Sequence, residues 1–308
     1  MNLPINPFAT KFQKTFTITF VFIFFALNFS QSQTLNEEID SETDATFLLG
    51  RIDKNGLTST NYNSWFSENF ENYQLDESVI EDISKTLKDY TITVFMGTWC
   101  GDSKQEVPRF YKILEACNFP IQQLTVIAVN RKPYMYKQSP NHEESGLNIH
   151  RVPTIIFYKN RKEVNRIVEH PVETLEKDIL KIISANNYIP NYQIVEKINA
   201  ILKYEGLNGL KSNMINLSKT YENKVTSISE LNTYGYVLYS NNYIEEAIEV
   251  FKLNTQLFPK EPNTYMSLAN TLGVFGEQKQ AIEVLEKSLT IFPDNNALKE
   301  NLQAIKTN

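Results

Sequence analysis

The sequence predicts an α/β domain, a mixed β-sheet flanked by helices, followed by an all-α repeat domain. Three observations carry this. Four runs rich in β-branched and aromatic residues fall between Tyr90 and Val168, separated by helical patterns or a short turn. The strand signal stops near Tyr192, and beyond it small and apolar residues recur at an offset of 34. The chain has 308 residues, 42% hydrophobic and 21% charged, which suits about two globular domains and excludes wholesale disorder. A net charge of −6 without a Lys/Arg cluster argues against a nucleic-acid partner. Two Cys cannot build a disulfide scaffold, and His142, His150 and His170 lack metal-ligand spacing, so no metal or other cofactor is expected.

The N-terminus reads as an address. Lys11 and Lys14 precede an apolar run from Phe16 to Leu27, and Ser30-Gln31-Ser32 forms a small-x-small site. That order predicts a secretory signal peptide over residues 1–32, its apolar core short of the ~20 residues a spanning helix needs. An uncleaved N-terminal anchor is the alternative and the one expected route to a membrane. Cleavage would remove two Lys and no acid, taking the charge from −6 to −8. An exported protein is expected, periplasmic or secreted if the source is bacterial.

Residues 33–75 read as an N-terminal extension, its first part (33–45) a polar, acidic leader or linker. Tyr62, Trp65, Phe66, Phe70 and Tyr73 recur at helical spacing, a stripe better suited to core packing than to a ligand. Val79, Ile80, Ile83 and Leu87 mark one face of a helix reaching Asp89. Strands are predicted at Tyr90–Met96, Gln123–Asn130, Thr154–Tyr158 and Lys162–Val168, with helices after Cys100 and over Leu175–Ile183. Strands alternating with helices and ending in a hairpin imply the mixed sheet.

The all-α part spans 192–308. Ala247 and Ala281, Pro259 and Pro293, Phe251 and Leu285, and Gly235 and Ala269 all stand 34 residues apart. This is the period of tetratricopeptide repeats, with a small residue where two helices cross and Pro ending the second helix. Two clear repeats cover about 228–295. A degenerate pair, Ile194–Tyr204 and Leu207–Tyr221, precedes them, and Ala297–Ile305 is expected to cap them. Such pairs stack into grooves that hold a peptide or protein partner.

Chemistry points to Cys100. It ends a strand–turn that opens a helix, where free N–H groups and the macrodipole favour a thiolate. Gly101 is expected to keep the turn tight, Trp99 to shield one side, and Pro108 to kink the helix. Asp102 suits a first helical turn but opposes a thiolate two residues away. The balance expected is a Cys100 pKa moderately below the ~8.5 of free Cys.

The run Trp99-Cys100-Gly101-Asp102-Ser103, followed by Lys104 and Pro108, resembles the active-site motif of thioredoxins, and Val152-Pro153-Thr154 resembles that family's cis-proline segment. The resemblance covers about 76–188 and implies a thioredoxin-like fold in the order α-β-α-β-α-β-β-α. It makes Cys100 the nucleophile, with Ser103 stabilising its thiolate, and has Val152 and Pro153 shape a substrate groove. Two departures stand out. Ser103 replaces the family's second Cys, which would release a mixed disulfide, and a hydroxyl cannot do so. Val94 occupies the position of the carboxylate that serves that Cys. Cys117 cannot substitute, because a helix would hold it about 22 Å from Cys100, far beyond the ~7 Å between Cα atoms that a disulfide tolerates. It reads as an inert core residue.

Two function classes follow. One is monothiol exchange with a protein disulfide or mixed disulfide, resolved by an external thiol or by the substrate's own second Cys. The other is a recognition module in which the helical repeats bind a protein and Cys100 is vestigial. His142, Glu143 and Glu144 read as a solvated loop and helix start, and Asn216-Leu217-Ser218 is a glycosylation sequon only in a eukaryotic cell.

Overall fold

The computed structural model describes residues 34–40 and 45–307; the segment read as a signal peptide lies outside them. The N-terminal part runs β1 (Glu37–Ile39), β2 (Phe47–Ile52), α1 (Lys54–Leu57), α2 (Asn63–Asn72), α3 (Glu77–Thr86), β3 (Thr91–Met96), α4 (Gly101–Ala116), β4 (Leu124–Ala128), β5 (Thr154–Lys159), β6 (Lys162–Val168) and α5 (Leu175–Ile183). Among the described residues six strands make one sheet in the order β1-β2-β4-β3-β5-β6. β3 and β4 are parallel and every other pairing is antiparallel, so the sheet is mixed.

Alternation along the central strands explains its two faces. Ile92, Val94, Met96, Val126, Ala128, Ile155 and Phe157 point to one side and share a core with Ile80, Ile83, Phe110, Leu114, Leu175 and Ile179 from the helices. Phe95, Ile127, Val129 and Ile156 point to the other side and meet Ile149 and Val152. The helices are well begun. Asp76 accepts from the Val79 N–H at the start of α3, and Thr174 from the Lys177 N–H at the start of α5.

The described part of the extension, residues 34–40 and 45–75, is built into this domain. β1 and β2 add two strands beyond β4, and the aromatic stripe of α2 enters the same core through Tyr62 and Phe66. The Tyr73 hydroxyl donates to the buried Glu176 of α5 at 2.7 Å. Polar residues conceal β1 because it lies at the sheet edge with both Glu37 and Glu38 exposed.

One expected element is missing. The family order calls for a helix between β4 and β5, but this segment holds only a single 3₁₀ turn at Pro133–Met135. Lys137, His142 and Asn148 have positive φ there, and Pro133 and Pro140 supply no N–H, so a helix cannot continue.

The helical part comprises α6 (Gln193–Tyr221), α7 (Ser229–Ser240), α8 (Ile244–Leu257), α9 (Pro262–Phe275), α10 (Gln278–Ile291) and α11 (Asn296–Thr307). α6 breaks at Gly206, whose φ of 68° a glycine adopts at little cost, giving the expected pair of helices. α8 and α10 start and end 34 residues apart, and both finish in the same geometry, at Phe258 (φ −126°, ψ 63°) and Phe292 (φ −124°, ψ 65°). Gly235 of α7 meets the Phe251 ring of α8 so closely that a Cβ would stand 2.5 Å from it. Stacked helical pairs with this period are consistent with tetratricopeptide repeats. Among the described residues no helix is long and apolar enough to cross a membrane.

Both parts belong to one compact unit, and α6 and α7 meet the β4–β5 segment. Gln138 donates to the Ser240 carbonyl at 2.7 Å, the Ser240 hydroxyl donates to the Tyr136 carbonyl at 3.2 Å, and Asn148 donates to Glu196 at 3.3 Å.

Candidate active site around Cys100

β3 runs through Gly97-Thr98-Trp99 into Cys100, which is the N-cap of α4 in extended backbone (φ −91°, ψ 130°). The Cys100 N–H donates to the Gly97 carbonyl at 2.9 Å and closes the turn. The glycine this turn needs is Gly97, not Gly101. A Cβ on Gly97 would sit 2.5 Å from the Trp99 indole, whereas one on Gly101 would meet nothing within 4 Å. Gly101 is simply an exposed first residue of α4, which corrects the expectation that it tightens the turn. The indole is fixed by a 3.0 Å hydrogen bond from Trp99 Nε1 to the Val129 carbonyl.

Cys100 is half-buried. Its thiol donates to the Val152 carbonyl at 3.1 Å, with the Asp102 carboxylate a longer alternative at 3.8 Å. The Val152–Pro153 bond is cis. The structure therefore brings Trp99, Cys100, Asp102, Ser103, Val152 and Pro153 together. Ser103 is fully buried and its hydroxyl accepts from the Gly97 N–H at 3.2 Å. Val94 lies in the apolar core.

The electrostatics differ from expectation. Burial pushes the Cys100 thiol up, and the Asp102 carboxylate adds to the rise. The Ser103 N–H and hydroxyl and the Asp102 N–H pull the other way without overcoming it. The lowered pKa read from the helix start is thus corrected, because desolvation outweighs the N–H groups in the first turn of α4. Cys117 lies at the far end of the same helix, buried near the Ile80 carbonyl, with its thiol pushed up to about 11 by burial.

The His142–Glu144 cluster also needs correction. His142 is exposed, but Glu144 is buried, accepting from the Ser139 N–H at 3.0 Å and from the Ser139 hydroxyl. No helix starts there. Glu144 is a carboxylate anchor for a tight turn, since a buried charge needs such donors.

Three residues near Cys100 carried no sequence signal. Tyr136 sets its ring 6.4 Å from that of Trp99. Lys137 is buried beside it. Arg151, just before the cis-proline segment, donates to Glu169 at 2.8 Å and to the Ser229 carbonyl of α7 at 2.7 Å. All three depend on how the β4–β5 segment docks, which spacing cannot reveal. A cleft of about 520 Å³ lies elsewhere, along Tyr192, Lys224 and Glu230.

Residues 57–177 match the family model described as thioredoxin. No curated protein and no solved structure matches the chain. The segment that carries Cys100 is a thioredoxin-like domain, and the helices after α5 lie outside the match.

Proposed function

We propose that this is an exported thioredoxin-like protein that performs thiol–disulfide exchange through one nucleophile, Cys100, with its helical repeats recruiting a protein client. The supporting observation is the position of the Cys100 thiol at the start of α4, 3.1 Å from the Val152 carbonyl beside cis-Pro153, with the Ser103 hydroxyl where a second thiol would stand. Cys100 gives its proton to a solvent base, and the thiolate attacks one sulfur of a client disulfide. A new S–S bond forms, the old one breaks, and the second client sulfur leaves as a thiolate. A client Cys or an external thiol then attacks the mixed disulfide and restores Cys100. Ser103 lends a hydrogen bond to the thiolate and takes no part in resolution. Pro153 and Val152 shape the groove, and Trp99 covers one side.

Glutathione disulfide and mass spectrometry test the exchange. A mixed disulfide should form on Cys100 and disappear in Cys100→Ala. Ser103→Cys should turn the site into a dithiol couple that reduces insulin disulfides. Background activity in that variant would mean the site is not a working redox centre. Export predicts a mature N-terminus just after Ser32, read by N-terminal sequencing; an intact N-terminus held in the membrane fraction would point to an anchor.

The burial that raises the thiol favours a second reading, in which the thioredoxin-like domain is a scaffold and the stacked helices bind the partner. In that case Cys100→Ala keeps every partner, and Cys100 reacts with iodoacetamide more slowly than a model thiol.

A further inference from the structure

The Cys100 sulfur faces two oxygen acceptors. The Val152 carbonyl stands 3.1 Å from it and an oxygen of the Asp102 carboxylate 3.8 Å away. A thiol can donate to either, whereas a thiolate is repelled by both, so this arrangement holds the proton on sulfur. Burial acts first in the same direction, and Asp102 is the charged side chain that adds to it. The carboxylate itself is exposed, in the first turn of α4. Among the described residues no cation lies at salt-bridge distance from it. Two cations on the neighbouring segments are engaged elsewhere. Arg151 pairs with Glu169 at 2.8 Å and donates to the Ser229 carbonyl at 2.7 Å, and the buried Lys137 donates to the Tyr136 hydroxyl at 2.8 Å. An exposed carboxylate without a counter-charge thus stands against the half-buried thiol.

We propose that Asp102 selects the client: the disulfide that Cys100 attacks is flanked by a Lys or Arg, whose cation pairs with the Asp102 carboxylate. This assignment rests on the exchange proposed for Cys100 and specifies the substrate class of that reaction. Pairing cancels the like charge that opposes the thiolate, so the client itself brings the activating charge. The Cys100 proton then passes to a solvent base, and the sulfur electron pair forms the new S–S bond. The old S–S bond breaks, and its second sulfur leaves as a thiolate. A client with an acidic flank meets repulsion at the same carboxylate. The net charge of −6 draws cationic segments toward the chain as a whole. Asp102 touches the flank of the client and is a specificity-determining residue.

The test compares two methanethiosulfonates of similar reach and opposite charge, the trimethylammonioethyl and sulfonatoethyl esters, on the full chain at pH 8. Adducts on Cys100 are timed by mass spectrometry, and each rate is divided by that of the same reagent with mercaptoethanol. The cation should be favoured about tenfold at low salt, as one unit charge attracts one reagent and repels the other across several ångströms of wet surface. The preference should fall to about twofold or less in 1 M salt. Asp102→Asn should bring it to about twofold or less at low salt, which the net charge alone supplies. Asp102→Lys should invert it. A purely structural Asp102 would change the melting temperature and leave the preference in place, so an Asp102→Asn ratio equal to the parent's overturns the proposal. If neither variant folds, the parent decides alone, and equal normalised rates for the two reagents at low salt overturn it. Cystamine and dithiodipropionate, small disulfides of opposite charge, read the exchange separately. Adducts from both at equal normalised rates uphold the exchange and overturn the selection. Thiosulfonate rates that depend on Asp102, with no adduct from either disulfide, sink the exchange reading and leave Asp102 as the selector at this thiol.

Discussion

Arg151 Nη2 donates to the backbone carbonyl of Ser229 at 2.7 Å, so the residue two before Pro153 also holds the first turn of α7. Its Nη1 pairs with Glu169 at 2.8 Å, both side chains being only 13% exposed, and Glu169 in turn accepts from the Tyr192 hydroxyl. The cis-proline segment and the helical part are thus one mechanical unit at this seam. Arg151→Met removes the cation and leaves the half-buried Glu169 with its Tyr192 partner alone. Breaking such a pair is expected to cost about 2–4 kcal/mol. Urea unfolding followed by circular dichroism checks this, and the variant should also separate the single transition into two. A loss below about 0.5 kcal/mol, the usual range of a neutral surface change, would show that the seam is held elsewhere.

The repeat makes a prediction by comparing itself. Gly235 meets Phe251 in the first repeat, whereas the positions 34 residues on carry Ala269 and Leu285, all four fully or nearly buried. Gly235→Ala forces a Cβ into the ring and should cost about 1–3 kcal/mol. Phe251→Leu alone leaves a gap and should also destabilise. Together they reproduce the second repeat, so the double variant should recover at least about 1 kcal/mol of the summed loss in a double-mutant cycle. Additive losses would mean the two repeats do not share a packing rule.

His150 gives a pH dependence whose sign is fixed by its burial. It is 1% exposed, wedged edge-on between Tyr192 and Tyr234, and burial pushes its pKa down to about 3. Neighbouring Arg151, Lys137 and Arg166 act in the same direction. The unfolded chain therefore binds a proton that the folded chain refuses between about pH 6.5 and 3. Stability supplied by the neutral ring is complete above that window and falls as pH drops through it. Each pH unit inside the window is worth about 1.4 kcal/mol. His150→Phe keeps an aromatic edge and cannot be protonated, so its stability should fall less than the parent's between pH 7 and pH 5, by about 2 kcal/mol. Parallel losses in urea titrations at the two pH values would place the acid sensitivity elsewhere.

Much of the architecture was legible because hydrophobic periodicity encodes it directly. The strand at Lys162–Val168 and the helix at Leu175–Ile183 match the structure at both ends, and the aromatic stripe from Tyr62 to Tyr73 proved to be core. β1 was hidden because an edge strand with exposed Glu37 and Glu38 shows no alternation to read. The site was legible only along the chain. Cys100 and Val152 announced themselves by motif, but Lys137, Tyr136 and Arg151 lie on a segment whose path depends on α7. The Cys100 thiol was misjudged for the same reason. A helix start can be read locally, while the burial that outweighs it is a property of the folded surroundings.

The two cysteines should separate cleanly in a labelling experiment. Cys100 is half-buried at the first turn of α4, while Cys117 is 7% exposed at its last, with its thiol pushed up to about 11 by burial. Because the thiolate is the reacting species, Cys117 has neither the access nor the charge to react at pH 8. Native protein treated with iodoacetamide at that pH should carry one adduct, on Cys100, and two after transfer to urea. Cys117→Val, close in volume and without a polar atom, should leave both the Cys100 rate and the melting temperature almost unchanged. Labelling of Cys117 at a rate comparable to Cys100 would mean that the end of α4 opens locally, and would require the core formed with Ile80 to be less stable than its packing implies.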